Sequence, residues 1–124
     1  MDFFEYAHHH TWCRIQRSPI HGVGVFAIKD IPAYTNLFPD CTDQFHIHSV
    51  STLRFLSPPV QKMCLDYFYH TDDKIFLPEK TLNQINSSFL LNYSETPNCL
   101  HYEDGSIYSI RKIMNGEELT HSYE

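Results

Sequence analysis

The sequence has few glycines, few basic residues and no long apolar runs. Its 124 residues include 4 glycines, and 9 lysines and arginines stand against 15 acidic residues, giving a net charge of −6. Nucleic-acid binding needs a basic surface, so this balance argues against such a partner and suits a basic peptide instead. No apolar run approaches the roughly 20 residues of a membrane span, and the first residues do not resemble a signal peptide. We therefore expect an intracellular protein, cytoplasmic or nuclear, without membrane association.

Cysteine pairs with metal-binding spacing are also missing. The four cysteines are widely separated, at Cys13, Cys41, Cys64 and Cys99. We expect reduced, mostly buried thiols rather than a zinc knuckle or a disulfide framework. Histidines occur at 8–10 and as the pair His46 and His48, which share one face if this segment is a strand. The spacing places no third ligand, so we expect no metal site; a small histidine-based metal protein is the alternative that metal analysis would test.

Length and pattern indicate one small domain made mostly of short strands. A chain of this length buries about two-thirds of its unfolded surface on folding, so it can form a core without disulfide bonds or a bound metal. Strand-like composition occurs at residues 11–17, 23–28, 74–77 and 118–122. Asp104 and Gly105 lie between two further strand-like runs within 99–113, which predicts a hairpin with a two-residue turn and a positive φ.

Helical signals are few. Ser57 followed by Pro58 predicts the start of a short helix, with Ser57 as N-cap and the helix covering about residues 59–66. Residues 81–88 could form one or two further helical turns. The histidines at 8–10, which precede a strand-like run, are interpreted as a solvated terminal segment.

Three segments of the sequence carry recognisable motifs. Residues 18–27 read S-P-I-H-G-V-G-V-F-A, residues 92–98 read N-Y-S-E-T-P-N, and residues 116–123 read G-E-E-L-T-H-S-Y. Together and in this order they resemble the signature of SET-domain protein lysine methyltransferases. That family has N-H-S-x-x-P-N, then G-E-E-L-T-x-D-Y, after a glycine-bearing turn, and the turn here is similar to that of the compact viral SET proteins.

The resemblance implies a fold that the local pattern does not predict. It implies a mostly β, β-rich α+β SET domain of several small sheets with one or two short helices. The C-terminal segment is expected to thread beside the Asn92 strand in the pseudoknot-like manner of the family. Residues 1–12 would then be an N-terminal extension, and residues 13–124 the SET domain.

The resemblance also implies S-adenosylmethionine as the cofactor and assigns residues to it. Gly22 and Gly24 would let the backbone approach the methionine portion, with His21 and Val23 binding through their main chains. Asn92 corresponds to the asparagine that contacts the amino-acid end of the cofactor.

Aromatic residues are expected at the adenosine and around the reacting amine. Tyr93 occupies the position, beside the adenosine, where the family usually has histidine. Tyr123 corresponds to the catalytic tyrosine, whose hydroxyl lies near the sulfonium and the target nitrogen. Tyr67 resembles a tyrosine of the lysine channel, and Tyr69 is the second candidate for that place.

The implied function is methylation of a lysine in a protein or peptide substrate, such as a histone or another basic protein. Family members close the lysine channel with a segment after the final tyrosine, and this sequence has one residue after Tyr123. We expect closure by a second copy in a homodimer, by the substrate, or by residues 3–6. The alternative is a catalytically weak or inactive SET module that binds protein or cofactor.

Overall fold

The strands predicted from the sequence are present, and most of them belong to one sheet. The computed structural model describes residues 2–39, 45–78, 81–83, 85–102 and 104–123. In chain order, the strands are β1 (Cys13–Arg17), β2 (Val23–Ala27), β3 (Phe45–Ser49), β4 (Lys74–Pro78), β5 (Asn92–Tyr93), β6 (Cys99–His101), β7 (Ile107–Ser109) and β8 (Glu118–Tyr123). The helices are α1 (Phe3–His10) and α2 (Pro58–Tyr67), and there are 3-10 helices at Val50–Phe55 and Ser87–Leu90. This β-rich α+β content confirms the predicted fold class.

The chain forms two compact units. The first unit contains Met1–Cys41 and Asn86–Glu124, and the second contains Thr42–Ile85. All strands except β3 and β4 belong to the first unit, where they form a six-stranded sheet. The three sequence motifs lie in the first unit as well.

Strand β8 is threaded through the sheet of the first unit. The strand order is β1-β2-β8-β6-β7, and β5 pairs with β8 outside this path. Both β5 and β6 run parallel to β8, and Tyr93 and Cys99 both pair with His121. Because one residue can pair with two others only on opposite edges, residues 94–98 must cross a face of β8. This crossing is the pseudoknot-like threading that the family resemblance implied.

The core of the first unit lies on one face of this sheet. Leu119, in β8, is fully buried and pairs with Val25 of β2, which is also fully buried. The buried cluster consists of Val25, Ala27, Ile31, Leu37, Leu91, Cys99, Ile107, Ile113 and Leu119. Along β8, Leu119 faces this core, whereas Glu118 and Thr120 on either side of it point to the other face, so the same strand packs into the core and carries polar groups on its other side.

Most of the cysteines that the structure describes are buried, as expected. Cys64 and Cys99 are buried and Cys13 is half-buried, whereas Cys41 lies outside the described residues. Burial raises the pKa of Cys99 to about 12. The thiol therefore stays protonated and acts as a small apolar side chain.

The second unit contains one antiparallel pair of strands, with helices in the segment that connects them. β3 pairs with β4, with Ile47 opposite Phe76, so the segment containing His46 and His48 is indeed a strand. Leu53, Cys64, Phe68 and Ile75 form its buried positions. Helix α2 confirms the predicted helix and its N-cap residue, but the Ser57 side chain makes no capping hydrogen bond. A proline at the start of α2 lacks one of the N–H groups that such a side chain would bind.

Two local predictions require correction. Gly105 has the expected positive φ of 89°, but its N–H donates to the Tyr102 carbonyl at 3.0 Å, so it ends the turn instead of lying at its centre. The hairpin loop is thus longer than two residues, and the Asp104 carboxylate accepts from the Ser106 N–H at 2.9 Å. The helical turn expected within 81–88 lies at Ser87–Leu90, with Asn86 as its N-cap.

Helix α1 was missed by the sequence analysis, which treated this segment as a solvated extension. The Asp2 carboxylate accepts from the Glu5 N–H at 2.8 Å and caps the first turn. An Asp followed three residues later by Glu is a helix-start signal that was available in the sequence. At the other end, the Lys29 ammonium donates to the His8 carbonyl at 2.9 Å and lies 4.4 Å from the centre of the Trp12 ring. No helix in the described ranges is long and apolar enough to cross a membrane.

Two imidazoles lie close together next to the crossing. The rings of His101 in β6 and His121 in β8 are 5.8 Å apart between centroids. Burial lowers the pKa of each to about 4; the nearby Asp104 opposes the shift at His101, and His101 adds to the shift at His121. Both rings are therefore neutral at neutral pH, and the fold disfavours their protonation.

We predict that Leu119→Ala destabilises the protein by about 2–5 kcal/mol, because it removes a large side chain from the centre of the core. Urea unfolding, followed by circular dichroism, measures this free energy. Met114→Ala, at a position that is 48% exposed, is the matched control and should change stability by no more than about 0.5 kcal/mol. Equal effects of the two substitutions would show that Leu119 is not a core residue.

Stability should fall as the solution is acidified from about pH 7 to about pH 5. The unfolded histidines gain protons near their ordinary pKa of about 6.5, whereas His101 and His121 resist protonation down to about pH 4. Unfolding therefore takes up protons in this pH range, and the free energy of unfolding falls by about 2 kcal/mol for each of the two histidines. His101→Phe should make the loss shallower and His9→Gln, which alters an exposed residue, should not. Parallel curves for wild type and His101→Phe would refute the assignment.

Candidate functional site

The glycine turn between β1 and β2 is closed by a backbone hydrogen bond. The Ser18 N–H donates to the Gly22 carbonyl at 2.9 Å, and Gly22 has a φ of 51°. This left-handed conformation favours glycine, although a Cβ at this position would have no atom within 4 Å. Gly22 is therefore required for the path of the backbone and not for space.

Gly24, two residues later, is required for space. It is buried, and a Cβ built on it would lie 2.3 Å from the Glu118 Oε2 and 3.1 Å from the Asn92 Nδ2. Real Cβ atoms do not approach other atoms at 2.3 Å, so any side chain would displace Glu118. The two glycines of the motif thus have different physical roles.

Asn92 joins the turn to the C-terminal strand. Its Nδ2 donates to the Glu118 Oε2 at 2.7 Å and also lies 3.1 Å from the Ser18 Oγ. The same nitrogen lies 3.2 Å from the carbonyl oxygens of both His21 and Val23. One amide therefore contacts the glycine turn and β8 at once, as the shared motif order suggested.

Ser18 and Glu118 complete this network and were not predicted as site residues. The Ser18 hydroxyl donates to the Glu118 carboxylate, 2.8 Å from Oε1 and 2.9 Å from Oε2. It accepts from the Ile20 N–H at 3.0 Å, which holds the turn in place. Both residues belong to the recognised motifs, but their 100-residue separation gives no sign that they touch.

The predicted cofactor residues His21, Gly22, Val23, Gly24 and Asn92 are brought together in this network. His21 and Val23 take part through their carbonyl oxygens, and their binding of the cofactor through the main chain stays a prediction. We name the set formed by Ser18, His21 to Gly24, Asn92 and Glu118 the Asn92 site.

The aromatic residues of the prediction are placed less completely. Tyr93 follows Asn92 in β5 and is 63% exposed. Tyr123 ends β8, where its backbone pairs with His101. Its role as the catalytic residue stays a prediction.

Tyr67 and Tyr69 belong to the second unit. Tyr67 is the last residue of α2 and is 47% exposed, with its ring edge-to-face against Phe68. Tyr69 packs its ring against Phe76, 5.4 Å between centroids. The channel role of Tyr67 also stays a prediction.

The described part of the chain contains no group of three histidine, cysteine, aspartate or glutamate side chains arranged to hold a metal. The polar chemistry around the Asn92 site consists of one carboxylate, one amide, one hydroxyl and backbone carbonyls. Such a set can bind a ligand through hydrogen bonds and charge.

Comparison with known proteins agrees with this geometry. The sequence model of the SET domain matches residues 22–124. Among solved structures, the chain is similar to a candidate histone methyltransferase of Plasmodium falciparum, with a TM-score of 0.56 and 20% sequence identity. That similarity covers 92% of this chain and 94% of the other, and it concerns the fold alone. The comparison with curated proteins gives no match. The order of the motifs and the threading of β8 agree with this match over residues 22–124, and the chain belongs to the SET domain family.

Proposed function

We propose that this protein transfers a methyl group from S-adenosylmethionine to a lysine side chain of a protein or peptide substrate. The observation that best supports the proposal is the close approach at Gly24, where a Cβ would meet Glu118 at 2.3 Å and Asn92 at 3.1 Å. A glycine that lets an amide and a carboxylate lie directly against the backbone suits the amino-acid end of this cofactor.

The residues present in the Asn92 site fit the cofactor by their chemistry. The carbonyl oxygens of His21 and Val23 accept hydrogen bonds, the Asn92 side chain offers both a donor and an acceptor, and Glu118 offers negative charge. When bound, S-adenosylmethionine supplies a methyl group activated by a positively charged sulfur. The proposed task of the Asn92 site is to hold and orient its amino-acid end.

The remaining requirement is a neutral amine held in line with the methyl group. A free lysine has a pKa of about 10.4, so its neutral form costs about 4.6 kcal/mol at pH 7. Exclusion of water and a nearby positive charge both lower the pKa of a lysine and reduce this cost. We propose that the Tyr123 hydroxyl orients the amine, and that Tyr67 shapes the channel through which it enters.

The proposed substrate is a histone or another basic protein. The net charge of −6 attracts basic peptides through long-range electrostatics. The similar Plasmodium protein carries the description of a candidate histone methyltransferase, which is consistent with a protein substrate. Incubation with methyl-labelled S-adenosylmethionine, histones and cell extract tests the proposal directly: we expect label in protein lysines.

The alternative function is a SET module that binds protein or cofactor with little or no turnover. It is favoured by Tyr93, which replaces the histidine usual in the family and is 63% exposed. Cofactor binding without label in any protein of the extract would support this alternative over the enzyme.

We predict that Gly24→Ala weakens S-adenosylmethionine binding by about tenfold or more, because overpacking at this position costs on the order of 1–3 kcal/mol and displaces Glu118. Calorimetric titration measures the affinity. Met114→Ala, at a position that is 48% exposed and outside the Asn92 site, is the control, and binding should change by less than about threefold. Equal affinities for the two variants would remove Gly24 from the site.

We predict that Tyr123→Phe lowers the rate of methyl transfer by about 10²–10³, by analogy with the removal of one oriented polar group from a catalytic site. Cofactor affinity should stay close to that of wild type, because the hydroxyl acts on the amine. Single-turnover methylation at saturating cofactor separates the two effects. Tyr67→Phe should have a smaller effect on the rate or alter the degree of methylation; near-wild-type transfer by Tyr123→Phe would falsify its assigned role.

A further inference from the structure

The Asn92 side chain has more hydrogen-bond acceptors around it than it can satisfy. Four oxygens lie within 3.2 Å of its Nδ2: those of the Ser18 hydroxyl, the His21 and Val23 carbonyls and the Glu118 carboxylate. A primary amide nitrogen carries two hydrogens. The oxygens converge from two chain segments on one point, which leaves acceptor capacity for a further donor.

Glu118 has no positively charged partner among the described residues. In the parts of the chain that the structure describes, the ion pairs are Lys62 with Asp66 and Arg111 with Glu117, and neither involves Glu118. Its carboxylate is half-buried and held only by the neutral donors of Ser18 and Asn92. A partly desolvated carboxylate is stabilised when a cation with N–H groups binds it.

Gly24 lets this carboxylate pack directly against the backbone of β2. Any side chain there would collide with the Glu118 Oε2 at 2.3 Å, so glycine maintains the approach of β2 to the carboxylate. By contrast, Glu117, the adjacent carboxylate, already pairs with Arg111 at 3.1 Å. Glu118 differs from Glu117 in two ways: no described ion pair includes it, and the carbonyl oxygens of His21 and Val23 lie around the Asn92 amide that it binds.

We infer that Glu118 is the countercharge for the α-ammonium group of the ligand, with the His21 and Val23 carbonyls accepting its other hydrogens. An ammonium group has three donors and no acceptor, which matches a carboxylate flanked by two carbonyls. This inference rests on the proposed function, because it takes S-adenosylmethionine as the ligand. It makes Glu118 a residue that determines specificity for the amino-acid end of the ligand, beyond its hydrogen bond to Asn92.

The test is a two-by-two binding experiment on the full chain. The ligands are S-adenosylhomocysteine and the same thioether without its α-amino group; the proteins are wild type and Glu118→Gln. Loss of the amino group should weaken binding to wild type by about 10- to 100-fold, the range for a hydrogen bond to a charged group. In Glu118→Gln the two ligands should differ by less than about threefold. Glu117→Gln is the matched control and should keep the wild-type preference.

Two results overturn the inference. If loss of the amino group weakens binding equally in wild type and Glu118→Gln, Glu118 only holds Asn92 and does not meet the ammonium. If neither ligand binds wild type, the proposed cofactor function fails, and the inference fails with it. If Glu118→Gln does not fold, Glu118→Asp is tested in its place. The shorter side chain should reduce the preference for the ligand with the α-amino group by about threefold or more. An unchanged preference would overturn the inference.

Discussion

The position of β8 between β5 and β6 is the constraint on which the rest of the structure depends. It places Glu118 2.7 Å from the Asn92 amide, and it buries Leu119 on the opposite side of the same strand. Because successive side chains of a strand point to opposite faces, one short segment can hold the core and build the site together. The glycine turn can contact both the Glu118 carboxylate and the Asn92 amide because Gly24 has no Cβ.

Much of the local structure could be predicted from the sequence because short-range signals decide it. The proline after Ser57 predicted the start of α2, and Gly105 predicted a hairpin turn with positive φ. The hairpin turn was predicted one residue too late, because Gly105 closes the turn through its hydrogen bond to the Tyr102 carbonyl instead of lying at the centre of the turn. Helix α1 was missed although Asp2 and Glu5 form a recognisable start.

The site was predictable only through family resemblance. Nothing in the residues themselves indicates that Ser18 and Glu118, 100 positions apart, share a hydrogen bond. The threading of β8 contradicts the usual preference for simple chain connections, so no local pattern could have predicted it. The recognised motifs named His21 to Gly24 and Asn92, and the structure added the two polar residues that connect them.

The most direct test of this account is a crystal structure of the protein with S-adenosylhomocysteine. The account predicts that the amino-acid end of the ligand lies in the Asn92 site, with its nitrogen within hydrogen-bonding distance of the Glu118 carboxylate. A ligand bound elsewhere, or one whose amino-acid end points away from Gly24, Asn92 and Glu118, would contradict the central claim.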